Sequence, residues 1–102
     1  MIEGLTQAKT ANTPAIVTDA GTVLAANTKR KGFIIQNVST NALFVRFGGD
    51  ASTTVFHIVL KGGTGDSDGN GGSFSMIDGL IYQGLISVAG TSPKLVVTEL
   101  TR

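Results

Sequence analysis

The chain predicts an all-β domain: an antiparallel β-sandwich or small barrel of about seven or eight short strands behind an extended N-terminal arm. Three observations carry this. Runs rich in β-branched and aromatic residues recur along the chain, as in Gly32-Phe33-Ile34-Ile35-Gln36-Asn37-Val38 and Leu43-Phe44-Val45-Arg46-Phe47. Fourteen glycines, against two prolines, separate such runs with turns. No helix-length segment intervenes to make the crossovers that a parallel sheet needs.

The 102 residues make one domain. Residues 1–13 are small and polar without a convincing period, and read as the extended arm; residues 14–102 form the β-sandwich domain. Ala15-Ile16-Val17-Thr18 is the first strand, with a turn at Asp19-Ala20-Gly21, and Thr22 to Ala26 is the next. Asn27-Thr28-Lys29-Arg30-Lys31 reads as a solvated basic link. Gly32 to Val38 and Leu43 to Phe47, joined by Ser39-Thr40-Asn41-Ala42, read as a hairpin. Val55 to Leu60 is a third central strand, and a Gly-rich loop covers 62–72. Short strands at Ser73 to Ile77, Leu80 to Tyr82, Leu85 to Ala89 and Leu95 to Leu100 complete the set.

Side chains alternate across a strand, so the runs assign faces. Phe33, Ile35, Leu43, Val45 and Phe47 share the inner face. Ile34, Val38 and Phe44 lie opposite, beside Gln36 and Arg46. In the last strands Leu85, Val96 and Leu100 oppose Ile86, Val88, Leu95 and Val97. Charged residues make up only 15% of the chain, against about 25% in an average domain. A sheet with one wet face normally carries polar and charged side chains there. Apolar residues on both faces leave two readings: the chain's own loops cover the second face, or subunit contacts do. We adopt subunit contact, with Ile34, Phe44, Arg46, Ile86 and Val88 as interface candidates, because exposing such a set would exceed the apolar patch a monomer ordinarily carries.

Little in the sequence suggests catalysis. Cysteine is absent, which removes disulfides and thiolate chemistry. The one histidine, His57, falls mid-strand between Val55 and Val59, and no serine sits in a Gly-x-Ser-x-Gly elbow. We expect no enzyme, no catalytic residue and no cofactor. Asp66-Ser67-Asp68-Gly69-Asn70-Gly71 matches the first half of a calcium loop, which makes Asp66, Asp68 and Asn70 the metal candidates. The twelfth position, where a bidentate Glu belongs, is Ile77, so the expected reading is an ordinary polar turn. Gly62-Gly63-Thr64-Gly65 lacks the lysine and helix of a phosphate loop. Asn37-Val38-Ser39 fits a glycosylation sequon, but the start Met1-Ile2-Glu3-Gly4-Leu5 does not read as a secretory leader. A net charge of +1 gives no drive toward nucleic acid, and no apolar run approaches a membrane span.

The phrases Arg30-Lys31-Gly32-Phe33-Ile34-Ile35-Gln36-Asn37 and Leu43-Phe44-Val45-Arg46-Phe47-Gly48, with Tyr82-Gln83-Gly84-Leu85-Ile86-Ser87-Val88 and Val96-Val97-Thr98-Glu99, resemble the head-decoration (cement) proteins of tailed bacteriophages. The shared style is a basic entry, an Ile-Gln-Asn strand, a hairpin, a Gly-rich loop and a closing strand, over some two thirds of the chain. The resemblance implies a β-sandwich on the outer capsid surface, assembled in the host cytoplasm. Its implied partners are the major capsid protein and copies of itself, as a trimer or other homo-oligomer. Two alternatives stand beside it: a tail, neck or fibre component, and a calcium-dependent ligand-binding β-sandwich. The absence of Trp and the single Tyr82 weaken the last as a sugar site.

Overall fold

The computed structural model describes residues 9–102, and among them there are nine strands and no helix. These are β1 (Thr10–Ala11), β2 (Ile16–Val17), β3 (Gly21–Leu24), β4 (Arg30–Asn37), β5 (Leu43–Phe47), β6 (Ile58–Leu60), β7 (Ser73–Met76), β8 (Ile86–Ala89) and β9 (Leu95–Thr101). One sheet runs β1-β9-β4-β7, with β2 also on the outer edge of β9; the other runs β3-β8-β5-β6, and every pairing is antiparallel. The expected all-β sandwich is therefore the observed fold.

The connectivity is more specific than the sequence suggested. β2 pairs with β9, β3 with β8, β4 with β7 and β5 with β6. The chain is in effect one long hairpin, turned at residues 48–57 and rolled up so that successive strands alternate between sheets. Two sheets of that order make a jelly roll, here with β1 added at one edge. Gly32 to Val38 and Leu43 to Phe47 are consequently not the two arms of a hairpin. β4 lies in the five-stranded sheet and β5 in the four-stranded one, and residues 38–42 form the corner that carries the chain between them.

Phe33, Ile35, Leu43 and Val45 face inward as expected, with Phe47 partly buried against them; Leu95 and Val97 from one sheet and Ile86 and Val88 from the other join them, the last two contrary to their outward assignment, with Leu24 and Leu60 beside them. Phe33 packs edge-on to Phe47 at 6.2 Å and against Phe74 at 6.0 Å. Val38, expected on the outer side, is buried. It stands past the end of β4, where alternation no longer applies, and its carbonyl accepts the Ser67 amide at 2.8 Å from the Gly-rich loop above it. Two further expectations change. Leu80 to Tyr82 is a loop rather than a strand, and of the run Val55 to Leu60 only Ile58–Leu60 joins the sheet.

The arm is shorter than expected. Its first eight residues lie outside the described residues, but Thr10 and Ala11 pair with Thr101 and Leu100 as an edge strand. Asn12 continues the tie: its amide donates to the Glu99 carbonyl at 3.1 Å and its Oδ1 accepts the Glu99 amide at 2.9 Å.

Two buried polar side chains, one at each end of β4, fasten the sheets together. Arg30 at the first end is fully buried. Its Nε donates to Glu99 Oε2 at 2.8 Å, and its two terminal nitrogens donate to the carbonyls of Tyr82, Gly84 and Ala25 at 3.1, 2.8 and 2.6 Å. One side chain thus joins β4, β9, the loop before β8 and the end of β3. Asn37 at the other end is also buried. Its amide nitrogen donates to the carbonyls of Asn41, Leu60 and Lys61 at 2.8, 3.1 and 3.1 Å, while its Oδ1 accepts from the Ser39 amide and hydroxyl at 3.0 and 2.8 Å. Among the described residues no buried side-chain nitrogen or oxygen lacks a partner, as close packing of polar groups requires.

Candidate functional site

The Gly-rich loop was the candidate metal site, and its geometry is that of a self-contained turn. Asp68 Oδ2 accepts from the Thr64 hydroxyl at 2.6 Å and the Gly65 amide at 2.7 Å, and Oδ1 accepts from the Asn70 amide at 2.9 Å. Asn70 turns its amide nitrogen, not its oxygen, toward Asp68 and Thr64. Asp66 faces away, toward Lys94 at 3.5 Å. Asp66, Asp68 and Asn70 are therefore neighbours in sequence that do not converge on a common point. Among the described residues no three His, Cys, Asp or Glu side chains gather as metal ligands.

The Thr64 hydroxyl first, then the Asn70 amide, hold the Asp68 carboxyl well below the usual carboxylate range. A carboxyl so depressed contributes to the fold in full above the ordinary carboxylate pKa of ~3.9, and that contribution is lost progressively as pH falls from there toward the lowered value. The expected result is that calcium leaves the melting temperature unchanged, since a ligand of the folded state would have to raise it. Asp68→Asn should instead loosen the loop, read as faster hydrogen exchange at the Gly65 and Asn70 amides.

Beside this loop an open polar cleft of about 520 Å³ is lined by residues that include Thr40, Asn41, Asp66, Ser92 and Lys94. Its polar groups are mostly engaged within the chain: Asn41 donates its amide to the Thr91 carbonyl at 3.0 Å, and Asp66 and Lys94 pair with each other.

His57 lies just before β6 and is exposed. Its ring stacks on Phe47 at 5.5 Å, and its Nδ1 accepts the Phe47 amide at 3.0 Å. That bond fixes the tautomer with the proton on Nε2. The histidine caps the end of β5. The basic link also has a different role from the one expected: Arg30 of Lys29-Arg30-Lys31 is the buried cross-tie described above. The sequon is a structural device too, because every hydrogen-bonding group of the Asn37 side chain is consumed inside the corner.

The interface candidates divide. Ile86 and Val88 are core residues, 0% and 1% exposed, and have no outward face to offer. Phe44 does point outward, but Phe56 lies edge-on over it at 4.9 Å. Arg46 is drawn down onto the loop, donating to the Asp50 carbonyl at 2.9 Å. Ser87, also on the outer face of β8, is fully buried: it donates to the Gly49 carbonyl and accepts the Ala51 amide at 2.8 Å. The loop 48–57 therefore folds back over the outer face of the four-stranded sheet, so part of the second apolar face is covered from within. Val55 and Phe56 of that loop and Val59 of β6 remain 47%, 39% and 51% exposed.

Ile34 keeps its place on the surface, at the centre of the outer face of the five-stranded sheet. Cross-strand partners share a face, and the registers set Ser75, Ile34 and Thr98 in one row and Ser73, Gln36, Val96 and Ile16 in the next. Gly32, Leu100 and Ala11 make a third row. None of these ten residues ionises. Sequence reasoning found Ile34 but missed this face as a whole, because it emerges only once β4, β7 and β9 are known to be neighbours. No protein-family model, no curated protein and no solved structure matches the chain.

Proposed function

We propose that the chain is a structural component of a tailed-phage virion, a decoration protein that binds the capsid shell and holds neighbouring capsid subunits together. The observation that carries this reading is the exposure of Val55, Phe56 and Val59, large apolar side chains of β6 and of the loop over the four-stranded sheet, on a chain with few charges. A single exposed apolar residue needs no explanation, whereas several large ones on one side of a small domain make a candidate interaction surface. Jelly rolls recur in viral capsid proteins, and also in lectins and cupins. The fold is thus compatible with the reading without selecting it. The sequence phrases that resemble decoration proteins supply the choice among them. The mechanism is mechanical: many copies, each with modest affinity, act together through multivalency.

The test is attachment to mature phage heads stripped of the protein. Cosedimentation should show a fixed number of copies per head and a gain in the heads' resistance to heat. Because apolar contacts dominate, attachment should persist at about 0.5 M salt, where the screening length is only ~4–5 Å. Val59→Glu should abolish attachment while the domain stays folded. Particles that carry the protein only at the tail would replace decoration with a tail role. A chain with no affinity for any part of the particle would sink the reading.

A further inference from the structure

We infer that Asn70 is a self-modification site: in the folded chain its side-chain amide is lost by ring closure onto the Gly71 nitrogen, and the product loosens the Gly-rich loop.

The chemistry needs only the chain and water. The Gly71 amide gives up its proton to hydroxide, and its nitrogen attacks Cγ of Asn70. The Cγ–Nδ2 bond breaks, and the departing nitrogen takes a proton from water and leaves as ammonia. A five-membered succinimide remains. Water then adds to one of its two carbonyls and opens the ring to Asp or to isoaspartate. Nothing is oxidised or reduced. Attacker and target belong to adjacent residues, so the closure has the advantage of an intramolecular reaction.

Three observations place the reaction at Asn70. The first is access to the nucleophile. Among the described residues no acceptor takes the Gly71 amide. Asn70 is exposed and Gly71 only partly buried, so hydroxide reaches the N–H and no bond has to break to free it. Gly71 has no side chain to shield its nitrogen, and the fold permits none: a Cβ there would overlap the Asn37 carbonyl oxygen. The packing that requires glycine thus keeps the reactive pair in place. The second is the weak hold on the side chain that must swing. Asn70 Nδ2 donates to Thr64 Oγ1 and Asp68 Oδ2 at 3.2 and 3.3 Å, at and beyond the long end of ordinary hydrogen bonds. The third is the contrast with the other four asparagines. Asn12, Asn27, Asn37 and Asn41 precede Thr13, Thr28, Val38 and Ala42, whose Cβ atoms crowd the attacking nitrogen. Asn37 is also buried and bonded through both ends of its amide.

The product acts on the loop through charge and length. A carboxylate at position 70 replaces the Nδ2 donor and is set against the Asp68 carboxylate, a like-charge contact. Isoaspartate also adds a methylene to the main chain just before Gly71 and Gly72. Gly72 is tied on both sides, its carbonyl accepting the Asn37 amide at 2.9 Å and its amide donating to the Lys61 carbonyl at 2.8 Å. The extra length therefore falls on the exposed turn that precedes it. The new charge cancels the chain's formal net charge of +1, so ion exchange separates the product from the parent.

The inference needs no shell and stands apart from the virion reading. Ageing the folded full chain in mildly alkaline buffer, followed by proteolytic mapping with mass spectrometry, tests it. The expected result is a more acidic fraction in which Asn70 has become a mixture of isoaspartate and Asp while the other four asparagines are intact. Its rate should rise in proportion to hydroxide, because the deprotonated amide is the attacker. Isomerisation at Asp68-Gly69 or Asp78-Gly79 leaves the mass unchanged and is told apart by that. Asn70→Gln, whose ring would be six-membered, should stop the conversion. In the separated acidic fraction the Gly65 amide, which donates to Asp68, should exchange its hydrogen several-fold faster than in the fresh chain. An Asn70 that stays intact in the folded chain, over the time in which the same chain converts in urea, would overturn the inference. So would equally fast conversion of another asparagine, ammonia loss that persists in Asn70→Gln, or a converted chain whose Gly65 exchange is unchanged.

Discussion

Arg30→Met should destabilise the domain by about 3–5 kcal/mol, the range for breaking a buried ion pair by removing one partner. Domains of this size are held by about 5–15 kcal/mol in total, and the corresponding fall in melting temperature is roughly 12–25 °C. The size follows from what the guanidinium does. It neutralises Glu99 at 2.8 Å and donates to three carbonyls from two separate loops, all at a fully buried position. Methionine fills the volume but leaves Glu99 without its partner and three carbonyls without donors. Arg30→Lys should recover only part of the loss, since an ammonium cannot span four acceptors in the plane of a guanidinium. Adding Glu99→Leu to Arg30→Met should make the double variant more stable than Arg30→Met alone, because the stranded charge is removed. Urea titration reads all three. A loss below ~1 kcal/mol for Arg30→Met would mean that water reaches this end of the sandwich and the cross-tie is dispensable.

The sequence hid this role for a definite reason. Arg30 sits two residues before Gly32, so strict alternation places both on the outer face. β4 contains a bulge there: Arg30 pairs with Thr101 and Gly32 with Leu100, so Lys31 is an extra residue opposite no partner. A bulge re-aims the side chains beyond it, and Arg30 is thereby turned inward to Glu99. Nothing in a run of three basic residues marks which of them will be swallowed. The positions of most strands, by contrast, were legible, because β-branched and aromatic residues with period two leave little choice. Phe33, Ile35, Leu43, Val45, Leu95 and Val97 fall inward as their alternation requires.

Strand pairing was less legible. Adjacent strands in sequence are usually neighbours in space, which favoured a hairpin between β4 and β5. The polar link that resembled a hairpin turn is instead a corner held by a buried side chain. Ile86 and Val88 were assigned outward, yet Ser87 between them was the available signal that the polar position of β8 faces away from the core. The surface followed the same logic. Ile34 was found because it interrupts an inward-facing pair. The cover over Phe44 and Ser87 comes from a ten-residue loop whose path no local pattern encodes.

Asn37→Asp should cost at least about 3 kcal/mol at neutral pH, and the cost should shrink in acid. The two side chains have the same shape, so packing is preserved and only the hydrogen-bond polarity changes. In the native corner the amide nitrogen faces the carbonyls of Asn41, Leu60 and Lys61. A carboxylate would set an anionic oxygen against three carbonyl oxygens in a buried site, with only the Ser39 amide and hydroxyl as donors to its other oxygen. Both burial and that repulsion disfavour the charged form, and the introduced carboxyl takes a folded-state pKa above its ordinary ~3.9. The sign follows. The folded state then binds the proton more tightly than the unfolded chain does, so the variant loses stability as pH rises from ~4 through the raised value, and recovers it as pH falls. The protonated acid can still donate one hydrogen bond to a carbonyl, so part of the staple returns. The quantity to measure is the stability difference between variant and wild type from pH ~4 to ~8, which cancels the titration of the other carboxyls. A large difference that stays flat over that range would assign the loss to missing donors rather than to a buried charge. A difference below ~1 kcal/mol at every pH would mean that the corner between β4 and β5 is held by the backbone bonds around Gly63 and Gly72 and does not depend on Asn37.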